Sequence, residues 1–269
     1  MPVDSRGRDR IALRDLLAAA VKEGGALALQ TFRKQLKSWI KGKSSPVSEA
    51  DLAVDALLRE RLLSICPIGW LSEETEDDPA RLENRDLWVV DPIDGTRAYL
   101  AGSADWTVSA ALVSDGRPVV AALYAPVTDE LFLASAGHGA TVNGVQIRAS
   151  PGNEIAGATF FAAKRRLETL AALEPGIKSA ARIASLALRL ARVATGALDG
   201  TFTAPNSHDW DLAAADLLVH EAGGALTTLT GEPLIYNQAH PVHGALVAAG
   251  RRRHAALLAL IADRLNEFA

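Results

Sequence analysis

Between positions 10 and 36, apolar residues recur at helical spacing. Ile11, Leu13, Leu16, Leu17, Val21, Leu27 and Leu29 share one side of a 3.6-residue period. This predicts an amphipathic helix, loosened where Gly24 and Gly25 adjoin. The polar segment KGKSSPVSEAD (41–51) reads as a loop with one proline. A second helical pattern opens at Glu49, carries Leu52, Val54, Leu57, Leu58, Leu62 and Leu63, and stops near Pro67. From Trp88 the pattern changes. Residues 88–91 read as a short buried strand, and 106–114, 117–125 and 130–134 as strands rich in Val, Ala and Leu. Asp115-Gly116 and Asn143-Gly144 are turn signals between such strands.

Beyond residue 150, strands and helices alternate. The pattern predicts a strand near 157–162, a helix from about 164, and a helix over 184–195 with Leu186, Leu190 and Val193 on one face. A strand at 199–203, a helix at 211–222, a strand at 244–249 and a helix from 251 follow. Residues 1–150 therefore read as an α+β half and 151–269 as an α/β half. The turn region 149–157 divides them, and one cleft is expected to be shared by both.

The chain has 269 residues, enough to bury a sizeable core, and its 49% hydrophobic and 22% charged composition is that of a globular protein. A formal net charge of −4 provides no global basic field, so nucleic acid is not an expected partner. Cys66 is the single cysteine, which rules out an intrachain disulfide and suits a buried, inert thiol. The start, MPVDSRGRDR, lacks the apolar run of a signal peptide, and no stretch approaches the roughly 18 apolar residues of a membrane span. A cytoplasmic protein is expected.

Three acidic segments carry the candidate chemistry. In WVVDPIDGT, Asp91 and Asp94 close an apolar run on either side of Pro92-Ile93. Like charges so confined raise each other's pKa unless a cation neutralises them. Hard oxygen ligands at this spacing suit Mg²⁺. Gly95-Thr96 would open a helix, whose N-terminus suits phosphate. The plain alternative is a strand end with an Asp N-cap. Ser72-Glu73-Glu74-Thr75 again places acids after an apolar pair. Its alternative is a solvated acidic loop, the reading preferred for Glu76, Asp77 and Asp78. Asp209-Trp210-Asp211 leads into a helix that ends at Glu221-Ala222-Gly223-Gly224. There Asp211 has the alternative role of an ordinary first-turn acid.

Together, WLSEET, WVVDPIDGT and DWDLAAADLLVHEAGG resemble, in order and spacing, the motifs of the inositol monophosphatase superfamily. The resemblance covers nearly the whole chain, with Ser72 standing where the family usually has glycine. It implies a layered αβαβα sandwich and a magnesium-dependent, lithium-sensitive phosphatase with two to three ions. It implies that Glu73, Asp91 and the Ile93 carbonyl hold the first ion and that Asp91, Asp94 and Asp211 hold the second. Glu73 would also reach a third, weaker ion through water. The backbone amides of Gly95 and Thr96 would hold the phosphate. Ser48 takes the place of the family's water-orienting hydroxyl, with Asp51 supporting its loop. Many relatives carry an acid a few residues earlier, where this chain has Lys41, Lys43, Ser44 and Ser45. Glu73 as base, help from Glu49 or Glu74, and activation mainly by metal all stay open. Lys43 either aids an anionic substrate or belongs to a solvated loop.

Substrate identity rests on less. Arg97-Ala98-Tyr99 matches neither the Thr-Asn-Phe of inositol phosphatases nor the Lys-Glu-Phe of 3′-phosphoadenosine phosphatases, but it keeps the charge of the latter. The SPVS loop, the LSEE motif and the Ala184-Ser185-Leu186 helix lean the same way. Arg182 and Lys164 would add charge for a second phosphate, or are plain surface bases. Ser185 and His208, the latter in the Asn206–Asp209 loop, are expected at the substrate. The remaining histidines show no ligand spacing. The leading expectation is a CysQ-like bisphosphate nucleotidase. A SuhB-like inositol-1-phosphate phosphatase is the runner-up, with histidinol phosphate and fructose 1,6-bisphosphate as further candidates. A SuhB-like binding partner of the transcription machinery is the alternative of another class. The expected partner is a small phosphorylated metabolite, with a homodimer as the family often forms and no membrane.

Overall fold

A computed structural model describes residues 9–41 and 45–269. Helix α1 (Arg10–Leu29) comes first, its amide at Ile11 capped by the Asp9 carboxylate at 2.9 Å. Strands β1 (Ser38–Lys41) and β2 (Ser45–Ser48) then pair antiparallel, Ser38 opposite Ser48 and Lys41 opposite Ser45. The segment expected as a loop is thus the second arm of a hairpin, because Trp39 and Ile40 supply strand-forming residues just before it. Helix α2 (Glu49–Ile65) follows directly.

Strands β3 (Gly69–Ser72), β4 (Asp86–Asp94), β5 (Thr107–Ser114), β6 (Arg117–Ala125), β7 (Glu130–Ser135), β8 (Ala140–Val142) and β9 (Val145–Gln146) form one seven-stranded sheet in chain order. Helix α3 (Thr96–Leu100) lies between β4 and β5. Only β3 and β4 run parallel. Asp115 and Gly116 turn the β5–β6 hairpin with φ of 49° and 71°, both left-handed as a tight primed turn requires. Strand β4 is longer than the expected 88–91. All nine of its residues are buried, both acids included.

The second sheet orders as β11-β10-β12-β16-β14. Its strands are β10 (Thr159–Phe161), β11 (Lys178–Ser179), β12 (Gly200–Phe202), β14 (Gly224–Thr228) and β16 (Leu246–Gly250). Helices α4 (Lys164–Leu173), α5 (Leu186–Ala194), α6 (Asp209–Glu221), α7 (Arg251–Ile261) and α8 (Leu265–Phe268) interleave with them. A short pair, β13 (Ser207–His208) with β15 (Val242–His243), leads into α6.

Strand alternation assigns the layers. Trp88 and Val90 join Leu17, Val54 and Leu58 of α1 and α2, whereas Leu87 and Val89 join Leu190 and Leu218 of α5 and α6. In β16, Leu246 and Ala248 face that same inner helical layer. Val247 and Ala249 face Leu170, Leu257 and Phe268 of α4, α7 and α8. The result is an αβαβα sandwich. Cys66 is buried, and its carbonyl accepts the Trp88 indole N–H at 3.1 Å, satisfying that ring's only donor. Among the described residues, no helix is long and apolar enough to cross a membrane.

Helix α1 runs unbroken through Gly24 and Gly25, contrary to the expected loosening. The glycines serve close approach to the sheet instead. A Cβ on Gly25 would lie 2.5 Å from Tyr124 Cδ1, and one on Gly24 would lie 3.2 Å from Val54 Cγ1. Gly25→Ala is therefore expected to destabilise by about 1–3 kcal/mol through overpacking. Gly24→Ala should be near neutral, its milder contact offset by a helix-propensity gain of about 1 kcal/mol. Chemical denaturation of both variants checks this, and equal effects would refute the packing account.

Candidate metal and phosphate site

The apolar run of β4 delivers Asp91 to the sheet's end. Asp91 pairs with Ser109 and Asp94 with Thr107, so three steps on β4 oppose two on β5. That extra residue is a bulge, at a point where Pro92 offers no N–H to a ladder. Its consequence is geometric. Residues three apart on a regular strand face opposite ways, and one inserted residue turns them to the same side. Asp91 and Asp94 thus meet, and Asp211 from the first turn of α6 joins them, with ligand oxygens within 4.8 Å of one another.

Each acid is placed by different backbone. The Glu73 amide donates to the Val90 carbonyl at 3.3 Å, extending the β3–β4 pairing by one residue. The Asp211 carboxylate accepts the His208 amide at 2.6 Å. Asp94 accepts the Ala187 amide at 2.7 Å, the Leu186 amide at 3.3 Å and the Ser185 hydroxyl, so the N-terminus of α5 grips it. Asp91 is 1% exposed, and neither of its carboxylate oxygens has a hydrogen-bond partner among the described residues.

The electrostatics are those of crowded, buried like charges. Burial, then Asp211 and Glu74, push the Glu73 carboxyl up to about 8. Burial, then Asp94, push Asp211 up to about 7. Asp91 is raised by burial and by Glu73. Asp94 is raised by burial, opposed by its bonds to Ser185 and the α5 amides. A buried acid with both oxygens unpartnered, amid three more acids, is the donor set of a hard divalent cation. The oxygens of Asp91, Asp94 and Asp211 fit such an ion, Glu73 acts on Asp91 as a neighbouring charge, and the Ile93 carbonyl lies between Asp91 and Asp94 in the chain.

Gly95 sits beside the acids at φ 98°, and a Cβ there would meet the Asp105 carbonyl at 2.7 Å, so only glycine fits. It starts α3, where the first amides have no intrahelical partner. The Thr96 hydroxyl lies 3.1 Å from Asp51 Oδ1 and 3.2 Å from the Ile93 carbonyl.

Several expected roles change. Ser48 is fully buried; its hydroxyl donates to Asp51 and accepts the Ala50 amide at 3.2 Å, capping α2. The hydroxyl two residues past Asp94 with a carboxylate behind it is that of Thr96. Ser185, also fully buried, supports Asp94 and caps α5 through the Leu188 amide at 2.9 Å, so it is a positioning residue and not a substrate contact. Arg182 and Lys164 line a separate groove of about 440 Å³ with Phe161, away from the acids. Glu49 is exposed and accepts the Lys37 amide at the hairpin base. Arg97 is exposed on α3. Lys43 and Ser44 lie outside the described residues.

The cleft beside the acids measures about 570 Å³ and is lined by Lys41, Glu73, Glu74, His208 and Trp210 among others. His208 stacks on Trp210 with ring centroids 4.5 Å apart. Lys41 donates to the Glu73 carbonyl and lies 3.3 Å from the Glu74 carboxylate. A larger cavity of about 920 Å³ lies at the far end of α6, beside Asp216, His220 and Arg251. Of the four acids, Glu73 lines the smaller one, and chemistry outweighs size in choosing between them. Asp51, which backs the Thr96 hydroxyl, is the site residue least visible in the sequence. Its signal was the Ser-x-x-Asp spacing of a capping box, which reads as local structure alone.

Comparisons with known proteins give the family. A model of the inositol monophosphatase family matches residues 12–266. The Nus factor SuhB of Escherichia coli (strain K12) is 32% identical over 264 residues, covering 94% of this chain and 97% of that protein. The inositol-1-monophosphatase of Rhizobium meliloti (strain 1021) is 32% identical over 234 residues, covering 82% and 87%. The crystal structure of extragenic suppressor protein suhB from Bartonella henselae superposes with a TM-score of 0.80 at 28% identity, covering 93% of this chain and 98% of that one. These names fit the SuhB-like runner-up and give no support to the CysQ-like expectation.

The shifted acids set a pH dependence. Glu73 moves from 4.5 to about 8 and Asp211 from 3.8 to about 7. Both values are raised on folding, so the metal-free folded chain binds more protons than the unfolded one across that window, and its stability falls as pH rises through it. Bound Mg²⁺ competes with those protons. The thermal midpoint in chelator should therefore drop between about pH 5.5 and about pH 8.5, and the rise on adding Mg²⁺ should be larger at the higher pH. A Mg²⁺-induced shift equal at both would contradict the crowding of these acids.

Proposed function

The chain belongs to the inositol monophosphatase family, phosphatases that hydrolyse phosphomonoesters, and from that premise we propose a Mg²⁺-dependent enzyme acting on a small polyol phosphate, with inositol 1-phosphate as lead substrate. The observation that carries this reading is Asp91, buried beside Asp94, Asp211 and the charge of Glu73, with neither oxygen partnered among the described residues. Glu73, Asp91 and the Ile93 carbonyl would hold one ion, and Asp91, Asp94 and Asp211 a second, with a weaker third near Glu73. When bound, Mg²⁺ lowers the pKa of a coordinated water and neutralises charge on the phosphate and the leaving oxygen.

The chain's own residues do the rest. Asp51 accepts the Thr96 hydroxyl proton, which leaves the Thr96 oxygen lone pairs to accept from, and so orient, the attacking water. The Gly95 and Thr96 amides would face the phosphate oxygens at the start of α3. His208 and Trp210 wall the side from which an alcohol would leave. No enzyme-bound phosphoryl intermediate is needed, which suits a chain whose single cysteine is buried. Lithium inhibition belongs to the same reading. A second role as a binding protein is suggested by the Nus-factor name of the Escherichia coli relative; capture of transcription proteins that survives Asp94→Asn would support it.

Asp91→Asn and Asp94→Asn are each expected to lower Mg²⁺-dependent phosphate release by about a thousandfold. Full release in chelator would overturn the reading. Thr96→Val and Asp51→Asn should lower kcat by about a hundredfold while Mg²⁺ affinity stays within about threefold. A substrate panel at fixed Mg²⁺ should rank inositol 1-phosphate above adenosine 3′,5′-bisphosphate, histidinol phosphate and fructose 1,6-bisphosphate by kcat/KM. Equal, low values on all four would refute the substrate assignment.

A further inference from the structure

The turn that carries Glu73 is closed by groups the mechanism does not use. Asp55, one helical turn after Asp51 on α2, is 8% exposed. Its Oδ1 accepts the Ser72 hydroxyl, and its Oδ2 accepts the Thr75 hydroxyl at 2.7 Å. Thr75 in turn accepts the Trp70 indole N–H at 3.2 Å, and Ser72 Oγ accepts the Glu74 amide at 3.4 Å. One buried carboxylate thus takes both hydroxyls flanking the Glu73-Glu74 pair. A glycine, usual in the family at position 72, cannot make that bond.

The electrostatics give this clamp a task. Without metal, the like charges of Asp211, Glu74 and Asp94 repel the Glu73 carboxylate. The sheet holds its backbone amide, on Val90, and Lys41 donates to its carbonyl. A turn free at its far end would relax away from the other acids, and each ion bound would then have to draw it back. A turn fastened at both ends is pre-organised, which favours metal binding.

We propose that Ser72, Thr75 and Asp55 form a positioning clamp that holds Glu73 at the metal site and sets the chain's Mg²⁺ affinity. With it, α2 steers two walls of the site from residues four apart: Asp51 holds Thr96, and Asp55 holds the Glu73 turn. The inference rests on the metal reading above.

The test is calorimetric titration of Mg²⁺ into the full chain, with no substrate present. Ser72→Gly, Ser72→Ala and Thr75→Val are expected to weaken Mg²⁺ binding by about tenfold each. Ser72→Thr and Thr75→Ser, which keep the hydroxyl, should restore it to within about threefold of wild type. Leu62→Ala, a fully buried core change on the same helix, controls for lost stability: it should lower the thermal midpoint and leave Mg²⁺ affinity unchanged. At saturating Mg²⁺ the clamp variants should recover most of their kcat. Affinities equal to wild type in Ser72→Gly and Thr75→Val, or an equal loss in Leu62→Ala, would overturn the clamp while sparing the metal reading. A wild-type chain that binds no Mg²⁺ would overturn both.

Discussion

Four carboxylates drawn into one buried place repel one another, and much of the surrounding architecture counters that repulsion. Asp91 is the extreme case, sealed from water with neither oxygen bonded to another described residue. Burial and neighbouring charge hold Glu73, Asp91 and Asp211 above their ordinary carboxylate range. A divalent cation reverses the sign of this problem: the same oxygens that repel become its ligands.

Three scaffolds supply the opposing order. The bulge in β4 turns Asp91 and Asp94 to one side. The amides at the start of α5 grip Asp94, and the His208 amide just before α6 holds Asp211. On the other wall, α2 offers Asp51 and Asp55, each engaged by hydroxyls. The inner helical layer matters most for assembly. Helix α6 packs between both sheets, so its first turn carries an acid from the second half of the chain to the end of a strand in the first.

Much of the fold could be read from period and punctuation. The helices at 10–29 and 49–65 and the strands at 107–114, 117–125 and 130–135 follow directly from apolar spacing and turn residues. The hairpin ending at Ser48 could not, because its second arm is short and polar. Gly24 and Gly25 suggested a weak helix from propensity alone, whereas contact with Tyr124 and Val54 explains them. Ser48 looked like the water-orienting hydroxyl and Ser185 like a substrate contact, because their positions in the motifs suited those roles. Both turn inward to carboxylates, a choice made by partners 3 and 91 residues away in the chain.

By itself the sequence determined which groups could hold a cation, since Glu73, Asp91, Asp94 and Asp211 stand in three motifs that together resemble the family's in order and spacing. It also determined the strand ends and helix starts that present them, because period, proline and glycine act over short range. Tertiary structure alone decided which hydroxyl meets which acid: Thr96 with Asp51, Ser185 with Asp94, and Ser72 and Thr75 with Asp55. The physical reason is range. A hydrogen bond is decided over about 3 Å, and groups come that close only when packed layers fold distant segments together.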